Sequence, residues 1–286
     1  MSFDAAERAP ELIEAGNELL GDAVELRREL HVHPELGLEL PRTQQAVLDR
    51  LADLGLDDVR TGSACTSVVA ELHGGAGAGP TILLRADMDA LPMPEDNELP
   101  FRSEVANTMH ACCHDAHTAM LVGAAHLLAD RREELAGTVR FMFQPGEEGD
   151  FGARHMIDEG VTQGVDRAFA IHGTPNLPSG WVGTRGGPLL ASADEFHVKV
   201  RGRGGHASTP HLANDPIPVA CEIVTALQTF VTRRVDAFAP AVVSVTKIRA
   251  GTTHNVIPET AILWGTIRAV SKRARAAAVE AVTRVA

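Results

Sequence analysis

The 286-residue chain has no tyrosine, two tryptophans and only three lysines (Lys199, Lys247, Lys272) among 26 basic residues. Aromatics amount to 4%, which leaves little to stack on nucleic-acid bases. The 38 acidic residues give a net charge of −12, which opposes binding to nucleic acid or an anionic membrane. Long apolar runs are missing too: none approaches the roughly 18 residues of a membrane span. The N-terminus (Met1-Ser-Phe-Asp-Ala-Ala-Glu-Arg) is polar and acidic, unlike a signal segment. Four cysteines at 65, 112, 113 and 221 form neither a C-x-x-C pair nor a disulfide-rich spacing, so a reducing cytoplasm is the expected location.

What is present is ordinary for a globular protein. Apolar residues make up 44% and charged ones 22%, and the length allows one large or two moderate domains. Residues 11–33 show helical apolar spacing closed by Pro34, and Pro41 opens a second helix ending at Gly55. Beyond them, strands at 66–72, 81–85, 137–145 and 167–171 alternate with helices at 118–129 and 153–159, the pattern of a mostly parallel α/β sheet. From about residue 193 the order becomes strand, helix, strand, strand, helix, suggesting a small ferredoxin-like α+β domain without its last strand. The expected domains are 1–187 and 188–286.

The densest chemistry is Met109-His-Ala-Cys-Cys-His-Asp-Ala-His117, with three imidazoles, two thiols and a carboxylate in nine residues. One such residue is ordinarily core or surface filler, but this concentration of borderline donors suits a transition metal. Asp115 is read as the N-cap of the helix that follows. Asp87 and Asp89 close one strand, Glu147 and Glu148 another, and His172 a third, where parallel sheets gather ligands. Cys112, His114, Glu148 and His172 would make a mixed four-ligand site with open positions. The neighbouring Glu147 would be free to act as general base on a metal-activated water.

The segments Arg28-Glu-Leu-His-Val-His-Pro-Glu, Arg85-Ala-Asp-Met-Asp-Ala-Leu-Pro, the cysteine-histidine cluster and Phe143-Gln-Pro-Gly-Glu-Glu-Gly resemble the M20 metallopeptidase superfamily in its amidohydrolase branch. Gly202-Arg-Gly-Gly-His-Ala-Ser, Asn255-Val-Ile-Pro and Gly265-Thr-Ile-Arg extend the match in the same order over nearly the whole chain. The resemblance implies a zinc-peptidase-like catalytic domain with two divalent ions (Zn, Mn, Co or Ni) and an inserted lid domain. It implies hydrolysis of N-acyl amino acids, with an aminopeptidase or dipeptidase as the nearest alternative. Cys112, His114, Glu148 and His172 would be metal ligands and Glu147 the base. His206 and Asn255 would polarise the scissile carbonyl, and Arg268 would meet the substrate carboxylate. A homodimer through the lid is implied as well.

Three departures stand out. Cys113 occupies a position where the resemblance implies glycine, so a left-handed backbone there would be strained. Gly149-Asp-Phe-Gly152 replaces a more glycine-rich loop. The chain ends at Ala286 inside a lid helix, where the resemblance implies a further strand and a return segment carrying another ligand histidine. An incomplete, inactive relative is therefore the competing expectation.

Overall fold

A computed structural model describes residues 5–286, and the chain divides between Pro178 and Ser179 into two compact units. Helices α1 (Ala5–Glu18), α2 (Leu20–Val32) and α3 (Pro41–Leu51) open the first. The single helix expected over 11–33 is in fact two. Its break is at Leu19, which keeps near-helical φ −84° and ψ −5°, so the apolar spacing carries no sign of it. Pro41 sits in the first turn of α3, where its missing N–H has no intrahelical partner to lose.

The first unit continues with β1 (Asp58–Thr61), β2 (Val68–His73), β3 (Thr81–Asp87), α4 (His114–Ala129), β4 (Thr138–Gln144), α5 (Gly152–Asp158) and β5 (Arg167–Ala170). The sheet order is β1-β2-β4-β3-β5. Its α/β character lies in β4, β3 and β5, which run parallel, whereas β2 meets both β1 and β4 antiparallel. The sheet is thus mixed: a tight Gly62–Ser67 turn returns the chain from β1 to β2 and needs no helical crossover.

One face of the sheet packs Val68, Ala70, Leu72, Phe141 and Phe143 against Leu26 and Leu30 of α2, Val47 and Leu51 of α3, and Leu121 and Val122 of α4. The other face buries Val69, Leu83 and Met142 with Met156 of α5. Strands β3, β4 and β5 therefore deliver their carboxyl ends to one rim, next to the start of α4.

The second unit contains β6 (Ser192–Arg201), β7 (Gly205–His206), α6 (Pro216–Arg234), β8 (Ala241–Ala250), β9 (Val256–Ile257), β10 (Thr260–Ala269) and α7 (Lys272–Val285). An antiparallel sheet β6-β10-β8 has β10 in the middle, and β7 pairs with β9 as a separate ribbon. Along β10, Ala261, Leu263, Ile267 and Ala269 are buried with Ile223 and Leu227 of α6 and Ala278 and Val282 of α7. The helices thus cover one face only. Among the described residues no helix is long and apolar enough to cross a membrane.

A buried ionic cluster fastens α2 to α4. His31 Nδ1 lies 2.7 Å from Asp115 Oδ2, its Nε2 lies 3.2 Å from Glu95 Oε1, and Arg27 Nε is 2.8 Å from the same Asp115 oxygen. With a carboxylate on each ring nitrogen, His31 is an imidazolium. Its pKa is raised by the Asp115 hydrogen bond, against burial, with a further contribution from Glu95. Asp115 is consequently not the N-cap of α4: that position is Cys113, and the Asp115 side chain points into this cluster. Replacement His31→Gln leaves buried Glu95 without a cation and Asp115 with Arg27 alone, and should cost roughly 3 kcal/mol. A histidine whose folded pKa is raised contributes its full stability below the unfolded value near 6.5 and loses it as pH climbs through the folded value. The difference in urea midpoint between wild type and variant should therefore be widest near pH 6 and shrink toward alkaline pH.

Candidate metal centre

His114 begins α4 and sits at the middle of the centre, completely buried. Its Nδ1 donates to the backbone carbonyl of Asp89 at 2.8 Å. That bond fixes the tautomer, so Nε2 carries the lone pair. This atom is buried and has no hydrogen-bond partner among the described residues, a costly condition unless something coordinates it. Metal-binding imidazoles characteristically pair one nitrogen with a carbonyl and offer the other.

Donor atoms of Cys112, His114 and His172 lie within 4.8 Å of one another, and so do those of His114, Glu147 and Glu148. The structure thus brings the four expected ligands and the expected base together around one imidazole. His172 repeats the tautomer logic: Nδ1 donates to the Gly173 carbonyl at 2.6 Å, and Nε2 faces Cys112 Sγ at 3.4 Å. Within this unit the floor is closed and the rim open, because His114, Asp87 and Asp89 are buried while His172, Glu147 and Glu148 are exposed. Such a site keeps room for a reactant.

Asp87 and Asp89, which the sequence places here without a role, organise the donors. Asp89 accepts the backbone N–H groups of Glu147 and Glu148, both at 2.9 Å, and so ties the end of β4 to the end of β3. Asp87 accepts from His117 Nδ1 at 2.6 Å, and His117 Nε2 in turn accepts the Gly173 N–H at 2.7 Å. Asp87, His114 and His117 are also close enough to hold a cation, but both His117 nitrogens are already engaged. We read His117 as a support for the segment carrying His172. Another member of the sequence cluster, His110, stands apart: it is buried with neither nitrogen partnered among the described residues, and burial lowers it to about 4, leaving it neutral.

The electrostatics call for a cation. Burial, a hydrogen bond to Glu148 and the charges of Glu148, Glu147 and Asp87 push the Cys112 thiol up to about 12. Partial burial and the neighbouring carboxylates of Glu148 and Asp87 likewise raise Glu147. Burial also acts to raise Asp87, yet the His117 hydrogen bond and the Arg85 guanidinium hold it at about 2. A divalent ion offsets this accumulation of negative charge and favours the thiolate.

The peptidase family M20/M25/M40 matches residues 83–282. The chain belongs to this family. It is 45% identical over 263 residues to the N-acetylcysteine deacetylase of Bacillus subtilis (strain 168), covering 92% of this chain and 69% of that protein. It is 40% identical over 260 residues to the N-acyl-L-amino acid amidohydrolase of Geobacillus stearothermophilus, covering 91% and 70%. A Bacillus subtilis dinuclear metal-binding peptidase of the M20 family superposes with a TM-score of 0.78 at 41% identity, over 94% of this chain and 69% of that one. Against this M20 background the mixed donor set fits divalent metal binding.

In the second unit, His206 on β7 pairs with Val256 of β9, and Ala207 N donates to the Asn255 carbonyl at 3.0 Å. His206 and Asn255 are therefore neighbours. Ser208 Oγ lies 2.7 Å from His206 Nδ1, which leaves Nε2–H as a donor, and Thr253 Oγ1 donates to Asn255 Oδ1 at 3.2 Å, which leaves its NH2 free to donate. Arg268 is not with them. It lies toward the far end of β10 from Thr260, about 26 Å away at ~3.3 Å per strand residue.

Cys113 has φ +67°, the left-handed conformation that glycine adopts without strain. Its side chain fills the space beside Gly173, where a Cβ would come within 2.9 Å of Cys113 Cβ and 3.0 Å of its Sγ. Phe151, in the second departing loop, also has positive φ, +56°, and is 75% exposed. Cys113→Gly should raise stability by about 1 kcal/mol in denaturant titration, the relieved left-handed strain exceeding the entropy that glycine adds to the unfolded chain. Gly173→Ala should be tolerated only when combined with Cys113→Gly. Because the ligands bind deprotonated, chelator competition should show metal affinity rising with pH between 6 and 8.

Proposed function

We propose that this chain is a metal-dependent amidohydrolase that cleaves the amide bond of N-acyl amino acids. The observation that carries the reading is the orphaned, buried His114 Nε2 surrounded by Cys112, Glu148 and His172, with Glu147 alongside. These four residues hold the cation, and the crowding of carboxylates about them suits two ions rather than one. Thiolate, imidazole and carboxylate together favour Zn, Mn, Co or Ni over Mg or Ca. When bound, such an ion acts as a Lewis acid toward the scissile carbonyl and acidifies the attacking water. Glu147, raised by partial burial and neighbouring carboxylates, takes the water proton and returns it to the leaving amine nitrogen.

The second unit supplies the remaining groups in this reading, as the lid. His206 Nε2–H and the Asn255 amide donate to the oxyanion, and Arg268 forks the substrate carboxylate. An N-acyl amino acid cannot span the roughly 26 Å of β10 that separates Arg268 from the His206–Asn255 end. Both sets can serve one substrate only if they come from different chains, which supports a homodimer through the lid. Four free cysteines, at 65, 112, 113 and 221, favour a reducing cytoplasm.

Turnover of N-acetyl-, N-benzoyl- and indoleacetyl-amino acids with added Mn, Zn or Co should be metal-dependent. Glu147→Gln should lower kcat by about 10²–10⁴-fold, the usual worth of a general base, with unchanged metal stoichiometry by atomic absorption. Wild-type turnover by that variant would sink the mechanism. Turnover confined to dipeptides would move the assignment to a peptidase of the same family.

A further inference from the structure

Charge is distributed unevenly between the two units. Of 26 basic and 38 acidic residues, 13 and 7 fall in Ser179–Ala286, so that unit carries net +6 while residues 1–178 carry −18. Two of the three lysines lie on one sheet. The register puts Arg201 opposite Thr260, Lys199 and Arg249 on either side of Ile262, and His197 and Lys247 on either side of Trp264. Directly paired residues share a face, and the even-numbered positions of β10, Arg268 included, alternate with the buried odd ones. All these residues therefore occupy the sheet face that the helices leave uncovered.

On that face Lys199, Arg201, Lys247, Arg249 and Arg268 are exposed. None has a carboxylate within ion-pair distance among the described residues, whereas Asp194, facing the helices, is held by Arg275. Glu195, opposite Thr266, is the single acid in the rows between Thr260 and Arg268. Lys247 lies 4.6 Å over the Trp264 ring, and His197 meets the same ring edge-on. The face is thus a cationic track that runs along β10 from Thr260 to Arg268.

We propose that this open face is a collecting surface for small carboxylate-bearing substrates, with Lys199, Arg201, Lys247 and Arg249 concentrating the anions that Arg268 receives. The inference rests on the N-acyl amino acid reading above, since those substrates are anions and the −18 unit repels them. Exposed cations bind a monoanion weakly, but their summed potential raises its local concentration and on-rate. The effect is strong when the Debye length is near 30 Å, at about 0.01 M salt, and weak near 8 Å, at about 0.15 M.

Two readouts separate this proposal from the reading beneath it. In Trp181→Phe protein Trp264 is the only tryptophan, so quenching by iodide reports anion density at this face and acrylamide serves as a neutral control. The iodide quenching constant should fall severalfold between 0.01 and 0.3 M ionic strength while the acrylamide constant stays level. Lys199→Gln/Arg201→Gln/Arg249→Gln should abolish the difference. Alongside it, kcat/KM for an N-acetyl amino acid should drop by up to about tenfold, the low end of electrostatic steering, over the same salt range and in the triple variant. kcat, and kcat/KM for the corresponding carboxamide, should not change. Salt-independent iodide quenching overturns the proposal, as does hydrolysis of the anionic substrate that ignores both salt and the triple variant. Salt-dependent quenching in a protein that hydrolyses neither substrate supports the collecting face and refutes the amidohydrolase reading. Tight binding of a single-stranded oligonucleotide at 0.15 M salt would reassign the face and overturn the proposal.

Discussion

The carboxylate of Asp89 accepts two backbone N–H groups, from Glu147 and Glu148, while its own carbonyl accepts from His114 Nδ1. Three segments distant in sequence are therefore set by one residue: the end of β3, the end of β4 and the start of α4. Remove that junction and the glutamate pair has no fixed relation to the imidazole between them. Donors on separate strand ends reach metal-binding distances only if the ends are tied, and β-strand pairing alone does not tie loops beyond the last ladder bond. Asp89 is buried, so its hydrogen bonds compete little with water, and they hold its charged form against burial.

The centre also shows why a metal site is expensive to fold without its metal. Carboxylates at 87, 89, 147 and 148 converge with a thiol. Only Asp87 and Asp89 are compensated by protein groups, Asp87 by Arg85 and His117 and Asp89 by His114 and two backbone amides. Glu147 and Cys112 are left with raised pKa values. The uncompensated members are the ones that would ligate or catalyse, and the compensated ones are the ones that position. That division follows from geometry: a group saturated by hydrogen bonds, as His117 is at both nitrogens, has nothing left for an ion.

Much of this was legible in the residue order. The cysteine-histidine cluster and the strand-terminal Glu147, Glu148 and His172 are local signals, and local signals survive translation into structure. Strand alternation likewise located β3, β4 and β5, whose ends build the centre. Less visible were facts of long-range pairing. The antiparallel β2 depends on a turn whose consequence is decided by β4, about 70 residues on. Asp115 has the composition of an N-cap, yet its partner His31 lies 84 residues away, and nothing near it in sequence announces a buried ion cluster. Register is similarly nonlocal: the basic face of the second unit appears only once β6 and β8 are set beside β10.

The two loops that depart from the family pattern bear on how the centre is specified. Cys113 and Phe151 both adopt left-handed φ values at positions where glycine would do so without strain, and each adjoins a ligand-bearing segment. If these turns were dictated by their own residues, side chains with a Cβ would have shifted them into a more favourable region. They have not shifted: Gly173 leaves space for the Cys113 side chain, and the Phe151 side chain projects into solvent. The turn geometry is thus imposed from outside, by Asp89 on the Glu147–Glu148 amides and by His117 on Gly173, and the local residue bears the strain. A backbone over-determined in this way tolerates substitution at its strained positions but not at the groups that hold it. The positioning residues Asp89 and His117 are therefore as much a part of the metal centre as the donors.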